Sequence, residues 1–117
     1  MSFKMYAIPN CNTVKKARDW LQENQQDYQF CDLKKGVLTL ELLQVWSAQV
    51  GWEVLLNRKG MTWRKLDDAA RADMNEAKAL QLILAKPSIM KRPVIVDGAV
   101  IKSVGFDATL FTETYFR

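Results

Sequence analysis

The strongest constraint on this chain lies near its start, where Phe3 to Asp32 reads as strand, helix, strand. Phe3 to Ile8 carries apolar residues on both alternating sets, which predicts a strand covered on both faces. Pro9-Asn10 is a turn signal. From Thr13, the residues Val14, Ala17 and Leu21 fall at i, i+3 and i+7 with Trp20 beside them, the pattern of an amphipathic helix ending near Asn24. Tyr28 to Asp32 is a short second strand. So short a strand–helix–strand run predicts a parallel pair joined by a right-handed crossover.

The rest of the chain must complete that sheet. Val94-Ile95-Val96 and Val100-Ile101 flank Asp97-Gly98-Ala99, the sequence form of a tight antiparallel hairpin. Gly105-Phe106-Asp107 leads to a last helix through Leu110, Phe111 and Tyr115. Between the two halves the pattern is helical. Leu42, Trp46 and Val50 stack at spacing four, flanked by Leu43 and Val45 and ended by Gly51. Trp52–Leu56 is a short helix or turn, and Trp63–Leu66 and Asp68–Asp73 are short helices. Asn75–Ala85 is longer, with Ala77, Leu80 and Leu84 on one face, and Pro87 stops it. The order β-α-β, helices, β-β-α predicts an α/β fold: a thioredoxin- or glutaredoxin-like four-stranded mixed sheet with helices on both sides. No repeat or linker interrupts the 117 residues, so one domain over 1–117 is expected, with a helical insertion at about 37–90.

Composition narrows the chemistry. A net charge of +4, with no run of like charge longer than two residues, is too thin a footprint for nucleic acid. With no signal peptide and no long apolar run, a soluble cytoplasmic protein that does not engage membranes is expected, as a monomer. Histidine is absent, which excludes a Cys-His or Ser-His pair and removes the commonest metal ligand; no metal is expected. The two cysteines, Cys11 and Cys31, suggest neither a disulfide framework nor a zinc site.

Cys11 falls between the strand-ending turn and the first helix. Backbone N–H groups left free at a helix start favour negative charge, hence the thiolate, which is the nucleophilic form. Position alone is insufficient. An unperturbed thiol is only a few per cent thiolate at pH 7, and reversing that requires about 2.7 kcal/mol. A helix terminus supplies roughly 0.3–1 kcal/mol, whereas a guanidinium at about 4 Å can add up to about 4 kcal/mol before desolvation. A cation must therefore lie near Cys11. Arg92, just before Pro93 and the third strand, is the first candidate, and within this fold the Arg92-Pro93 bond is expected to be cis. Arg58, in Asn57-Arg58-Lys59-Gly60, is the second, and reads equally as a solvated helix end. Cys31 reads as a structural or incidental thiol, and the four tryptophans as core and cover.

These residues together resemble the ArsC/Spx-like, glutaredoxin-related arsenate reductase family. The resemblance rests on Tyr6-Ala7-Ile8-Pro9-Asn10-Cys11-Asn12-Thr13 with Lys16-Ala17, on Gly51-Trp52-Glu53-Val54-Leu55-Leu56-Asn57-Arg58, on Thr62-Trp63-Arg64-Lys65-Leu66 and on Lys91-Arg92-Pro93-Val94-Ile95-Val96. Gly105-Phe106 is most similar to the YffB branch. In arsenate reductases of this type a single cysteine attacks the oxyanion and three arginines hold it. The matching positions are Cys11, Arg58 and Arg92. The third arginine would fall near Ser103, beside Lys102, and Ala7 stands where the family has a histidine. The Cys-x-x-Cys of the Spx-like regulators is here Cys11-Asn12-Thr13-Val14. What the resemblance implies is a glutathione-dependent thiol reductase with no bound cofactor and glutathione as co-substrate. Cys11 would form a mixed disulfide with a thiol, disulfide or small oxidised substrate. Arg58 and Arg92 would hold a carboxylate of glutathione, and Asn12, Thr13 and Pro93 would line the site. An arsenate reductase-like activity, or a non-catalytic Spx-like regulator that binds RNA polymerase, are the alternatives it implies.

Overall fold

In the computed structural model, which describes residues 3–115, the alternation along β1 (Phe3–Ala7) decides how the sheet is covered. Phe3, Met5 and Ala7 are buried, while Lys4 is exposed and Tyr6 half-buried. The expected coverage of both faces holds in part: on the second face only Lys4 is exposed, while Tyr6 is half-buried and the paired Val94 and Val96 of the neighbouring strand are buried. Ile8 falls outside the strand, which leaves the second set with only Lys4 and Tyr6.

β1 runs parallel to β2 (Tyr28–Asp32) and antiparallel to β3 (Val94–Asp97), which pairs antiparallel with β4 (Val100–Val104). The order β2-β1-β3-β4 is the mixed, thioredoxin-like sheet that the sequence predicts. Gly98 turns the hairpin with φ +61, a conformation that glycine adopts without a Cβ penalty. Between Ile95 and Val96 the register shifts: Ile95 pairs with Ser103 and Val96 with Ile101. The residue left over on β4 is Lys102.

One face of the sheet packs against α1 (Asn12–Glu23) and α7 (Ala108–Tyr115), through Val14, Ala17, Leu21, Phe111 and Tyr115 on Phe3, Met5, Ala7 and Ile95. These strands and two helices make one compact unit, formed by residues 3–37 with 92–115. Ser103 is buried there at 2.6 Å from the Tyr115 hydroxyl, and burial pushes Tyr115 up to about 12 despite that hydrogen bond.

Leu38–Lys91 forms a second compact unit, built from α2 (Leu40–Val50), α3 (Trp52–Leu55), α4 (Met61–Arg64), α5 (Asp68–Arg71) and α6 (Glu76–Ala85). Its faces differ from the sequence reading. α2 buries Leu43, Trp46 and Ser47, leaving Leu42 and Val50 half-buried. The buried polar side chain explains the rotation, because Ser47 Oγ donates 2.8 Å to Glu76 Oε2. α6 correspondingly buries Ala79, Leu80 and Ile83, and Ala77 is exposed. α4 begins at Met61, directly after Gly60, rather than at Trp63. The unit closes on a short bridge between Leu56 and Met90, beside which the Lys91 amide donates 2.7 Å to the Leu55 carbonyl.

Candidate active site

Most helices here begin on a side-chain cap. Thr39, Asp67 and Asn75 accept the amides of Leu42, Ala70 and Lys78, and Asp107 accepts that of Leu110. Such caps are worth about 1 kcal/mol each. α1 departs from that habit. Its N-cap is Cys11, extended at φ −142 and ψ 125, and its first turn holds no acidic residue. The Lys15 amide donates 2.9 Å to the Cys11 carbonyl, so the helix starts on this residue. The positive end of α1 is thus left facing a thiol.

Cys11 is half-buried against the α1 and α7 core. Burial is the largest single influence on the thiol and would raise its pKa. Against it act the Val14 amide, the hydrogen bond and charge of the Arg92 guanidinium, and the Thr13 amide, and together they hold the thiol below its ordinary value. None of the amide contacts reaches the geometry of a regular cap hydrogen bond, so their influence is that of aligned dipoles. A cation beside the sulfur is what the sequence argument required, and Arg92 meets it. Its Nε is buried, and the Arg92-Pro93 bond is cis, as expected. Pro93 is buried, and its carbonyl accepts 2.9 Å from the Gly105 amide, which fixes the loop against the end of β4. Asn12 and Thr13 are exposed on the first turn of α1.

Cys11, Asn12, Thr13, Arg92 and Pro93 thus all belong to the first unit. Arg58 belongs to the second, where its guanidinium lies 5.2 Å from the Trp52 ring centroid and 3.8 Å from Glu53 Oε2. The position expected to correspond to a third arginine is the buried Ser103, and Lys102 lies at the Phe3 end of β1, whereas Cys11 follows the Ala7 end. Cys31 pairs with Tyr6 in the β1–β2 register, on the strand position next to Phe30. Phe30 packs on the α1 side, so Cys31 points to the opposite face of the sheet and cannot meet Cys11. Among the described residues no group of three or more Cys, Asp or Glu is placed to hold a metal, and no helix is long and apolar enough to cross a membrane.

A groove of about 620 Å3 opens beside Cys11 and runs along α1 past Lys15 and Arg18 to Tyr28. Sequence reasoning did not single out Arg18 or Tyr28. The available signal was the i, i+4, i+7 spacing of Cys11, Lys15 and Arg18, which sets them along one face.

Removing the Arg92 charge gives a sharp test of the electrostatics. Arg92→Met is expected to move the midpoint of the pH profile for Cys11 alkylation upward, slowing the reaction at pH 7 severalfold. Above both pKa values the variant should react faster, because thiolate nucleophilicity rises with pKa. Arg92→Lys should restore part of the profile. An unmoved midpoint would remove Arg92 from the activating role.

The ArsC family profile matches residues 6–113. A solved YffB protein is 45% identical with a TM-score of 0.89, over 96% of this chain and 97% of its own. The solution structure of an arsenate reductase (ArsC) related protein from Brucella melitensis is 44% identical with a TM-score of 0.79, over 100% of this chain and 96% of its own. The global transcriptional regulator Spx of Streptococcus pyogenes is 27% identical over 105 residues, which cover 88% of this chain and 77% of the regulator.

Proposed function

The chain belongs to the ArsC family, and from that premise we propose that it is a glutathione-dependent thiol reductase working through Cys11 alone. The observation that carries the reading is the half-buried Cys11 thiol held below its ordinary pKa by Val14, Arg92 and Thr13. The similarity to an arsenate reductase-related protein supports thiol oxidoreductase chemistry. In the reaction, the Cys11 thiolate attacks the glutathione sulfur of a glutathionylated substrate. The new bond joins Cys11 to glutathione, and the substrate leaves as a thiolate that takes up a proton. A second glutathione thiolate then attacks the glutathione sulfur of that mixed disulfide, releasing Cys11 as thiolate and oxidised glutathione. The net change exchanges one disulfide for another: the glutathionylated substrate and one reduced glutathione become the substrate thiol and oxidised glutathione. Glutathione is the resolving thiol because Cys31 lies across the sheet. Arg92 stabilises Cys11 both as attacking and as leaving thiolate, and Asn12, Thr13 and Pro93 border the reacting sulfur.

The buried Ser103 disfavours arsenate as substrate, since a doubly charged oxyanion calls for a cation where a neutral side chain is turned into the core. The Spx-like reading lacks the second thiol of a Cys-x-x-Cys switch, as Val14 occupies its place in the core of α1.

The test is turnover. With glutathione, glutathione reductase and NADPH, the protein should reduce a glutathionylated peptide catalytically, with one glutathione trapped on the enzyme at steady state. Background rates with that peptide, or reduction that proceeds equally with a non-thiol reductant alone, would refute the proposal.

A further inference from the structure

We infer that the groove along α1 is the subsite for the γ-glutamyl end of glutathione, with Arg18 receiving its α-carboxylate. This deepens the thiol reductase reading and rests on it. Arg18 is half-buried, unlike most arginines of an amphipathic helix. Its Nε donates 2.9 Å to the Tyr28 hydroxyl, and its Cζ lies 4.5 Å from the Phe30 ring centroid. The aromatic pair fixes the plane of the guanidinium and uses only one of its nitrogens, which leaves the two terminal nitrogens for a bidentate acceptor. Three other cations have carboxylate partners: Lys15 with Asp19 at 2.9 Å, Arg71 with Asp68 at 2.7 Å and Arg58 with Glu53 at 3.8 Å. Among the described residues, no carboxylate lies within 4.0 Å of Arg18. A preset, uncompensated guanidinium in a groove that begins at the reactive sulfur is suited to an anionic ligand tethered to that sulfur.

Length and charge select which anion. Arg18 follows Cys11 by seven residues, about 10 Å along the helix axis. In glutathione the γ-linked arm, from sulfur to α-carboxylate, is about as long as three chain residues, roughly 10 Å extended. The glycyl arm is about one residue shorter and matches that span less well. The γ-glutamyl end is also a zwitterion, and the groove carries both signs: Asp19, which pairs with Lys15 at 2.9 Å, lines it next to Arg18, so the ligand's ammonium would share that carboxylate with Lys15. A volume of about 620 Å3 is ample for a tripeptide arm.

The experiment measures the rate at which reduced protein forms the Cys11 mixed disulfide with three disulfides: oxidised glutathione, the disulfide of Cys-Gly, which lacks the γ-glutamyl arm, and uncharged bis(2-hydroxyethyl) disulfide. Wild type should prefer oxidised glutathione to the Cys-Gly disulfide by about tenfold. Arg18→Met, which keeps an apolar stem on Phe30, should lower that preference to near unity, and Arg18→Lys should restore part of it. If wild type prefers oxidised glutathione over both other disulfides and Arg18→Met retains the full preference, the subsite is wrong while the thiol reductase reading stands. If wild type reacts with all three alike, glutathione recognition itself fails and the subsite with it. The substrate comparison needs no variant, so it holds even if an Arg18 replacement folds poorly.

Discussion

Replacing Cys11 by serine is expected to abolish mixed-disulfide formation with oxidised glutathione completely, whereas Cys31→Ser leaves both the adduct and its resolution intact. The asymmetry follows from geometry. Cys11 faces the free amides at the start of α1 and the Arg92 guanidinium. Cys31 sits in the middle of a strand pair, opposite Tyr6, on the sheet face turned away from α1. A serine hydroxyl with its far higher pKa cannot use the environment that stabilises a thiolate, so no residual nucleophile remains. Mass spectrometry after exposure to oxidised glutathione reads the result directly: one adduct in wild type and Cys31→Ser, none in Cys11→Ser. An adduct that persists in Cys11→Ser would place the reactive sulfur at Cys31. An intramolecular disulfide appearing in wild type would show that the sheet does not separate the two thiols and that glutathione is not needed for resolution.

The strand–helix–strand start and the Gly98 hairpin were legible because each is written in short-range pattern: alternation, helical spacing, and a turn residue at φ +61. The buried faces of α2 and α6 were not. Periodicity weighs apolar residues, and these helices turn on the Ser47–Glu76 hydrogen bond, a polar contact between residues 29 apart in sequence. The shifted register that leaves Lys102 over and sends Ser103 inward has no local signature either. At the site, Cys11 stood out because cysteine took a position where α2, α5 and α6 have Thr39, Asp67 and Asn75. Arg92 stood out because the thiolate argument demanded a cation and the fold brings the start of β3 beside β1. Arg18 stayed hidden, since a charged residue on an amphipathic helix ordinarily means solvent. Only the parallel register that lays Tyr28 and Phe30 alongside α1 gives it a different meaning.

The same packing makes Phe111→Ala the most destabilising simple change in the first unit. Phe111 is fully buried and stands edge-on to three rings: Phe106 at 4.8 Å, Tyr115 at 5.1 Å and Trp20 at 5.3 Å. Truncation removes the ring's burial and leaves a cavity that three aromatic neighbours are too rigid to fill, which should cost about 3–5 kcal/mol. Each aromatic pair lost adds to that figure beyond area alone. Set against a typical total of about 5–15 kcal/mol, the change is large enough to show as a clear fall in the urea midpoint. Trp20 is a suitable reporter, because it touches Phe111 directly and the other tryptophans, Trp46, Trp52 and Trp63, lie in the second unit. Phe111→Leu should lose markedly less, since most of the volume stays. The native fraction of Phe111→Ala should keep the wild-type alkylation profile, because the Val14 and Thr13 amides and Arg92 act at the first turn of α1, while Trp20, where Phe111 bears on the helix, is in its last. A loss below about 1 kcal/mol would mean that α7 is a peripheral cover rather than the element that seats α1 on the sheet. A shifted alkylation midpoint in the folded variant would mean that the seat of α1, and not only its first turn, sets the reactivity of Cys11.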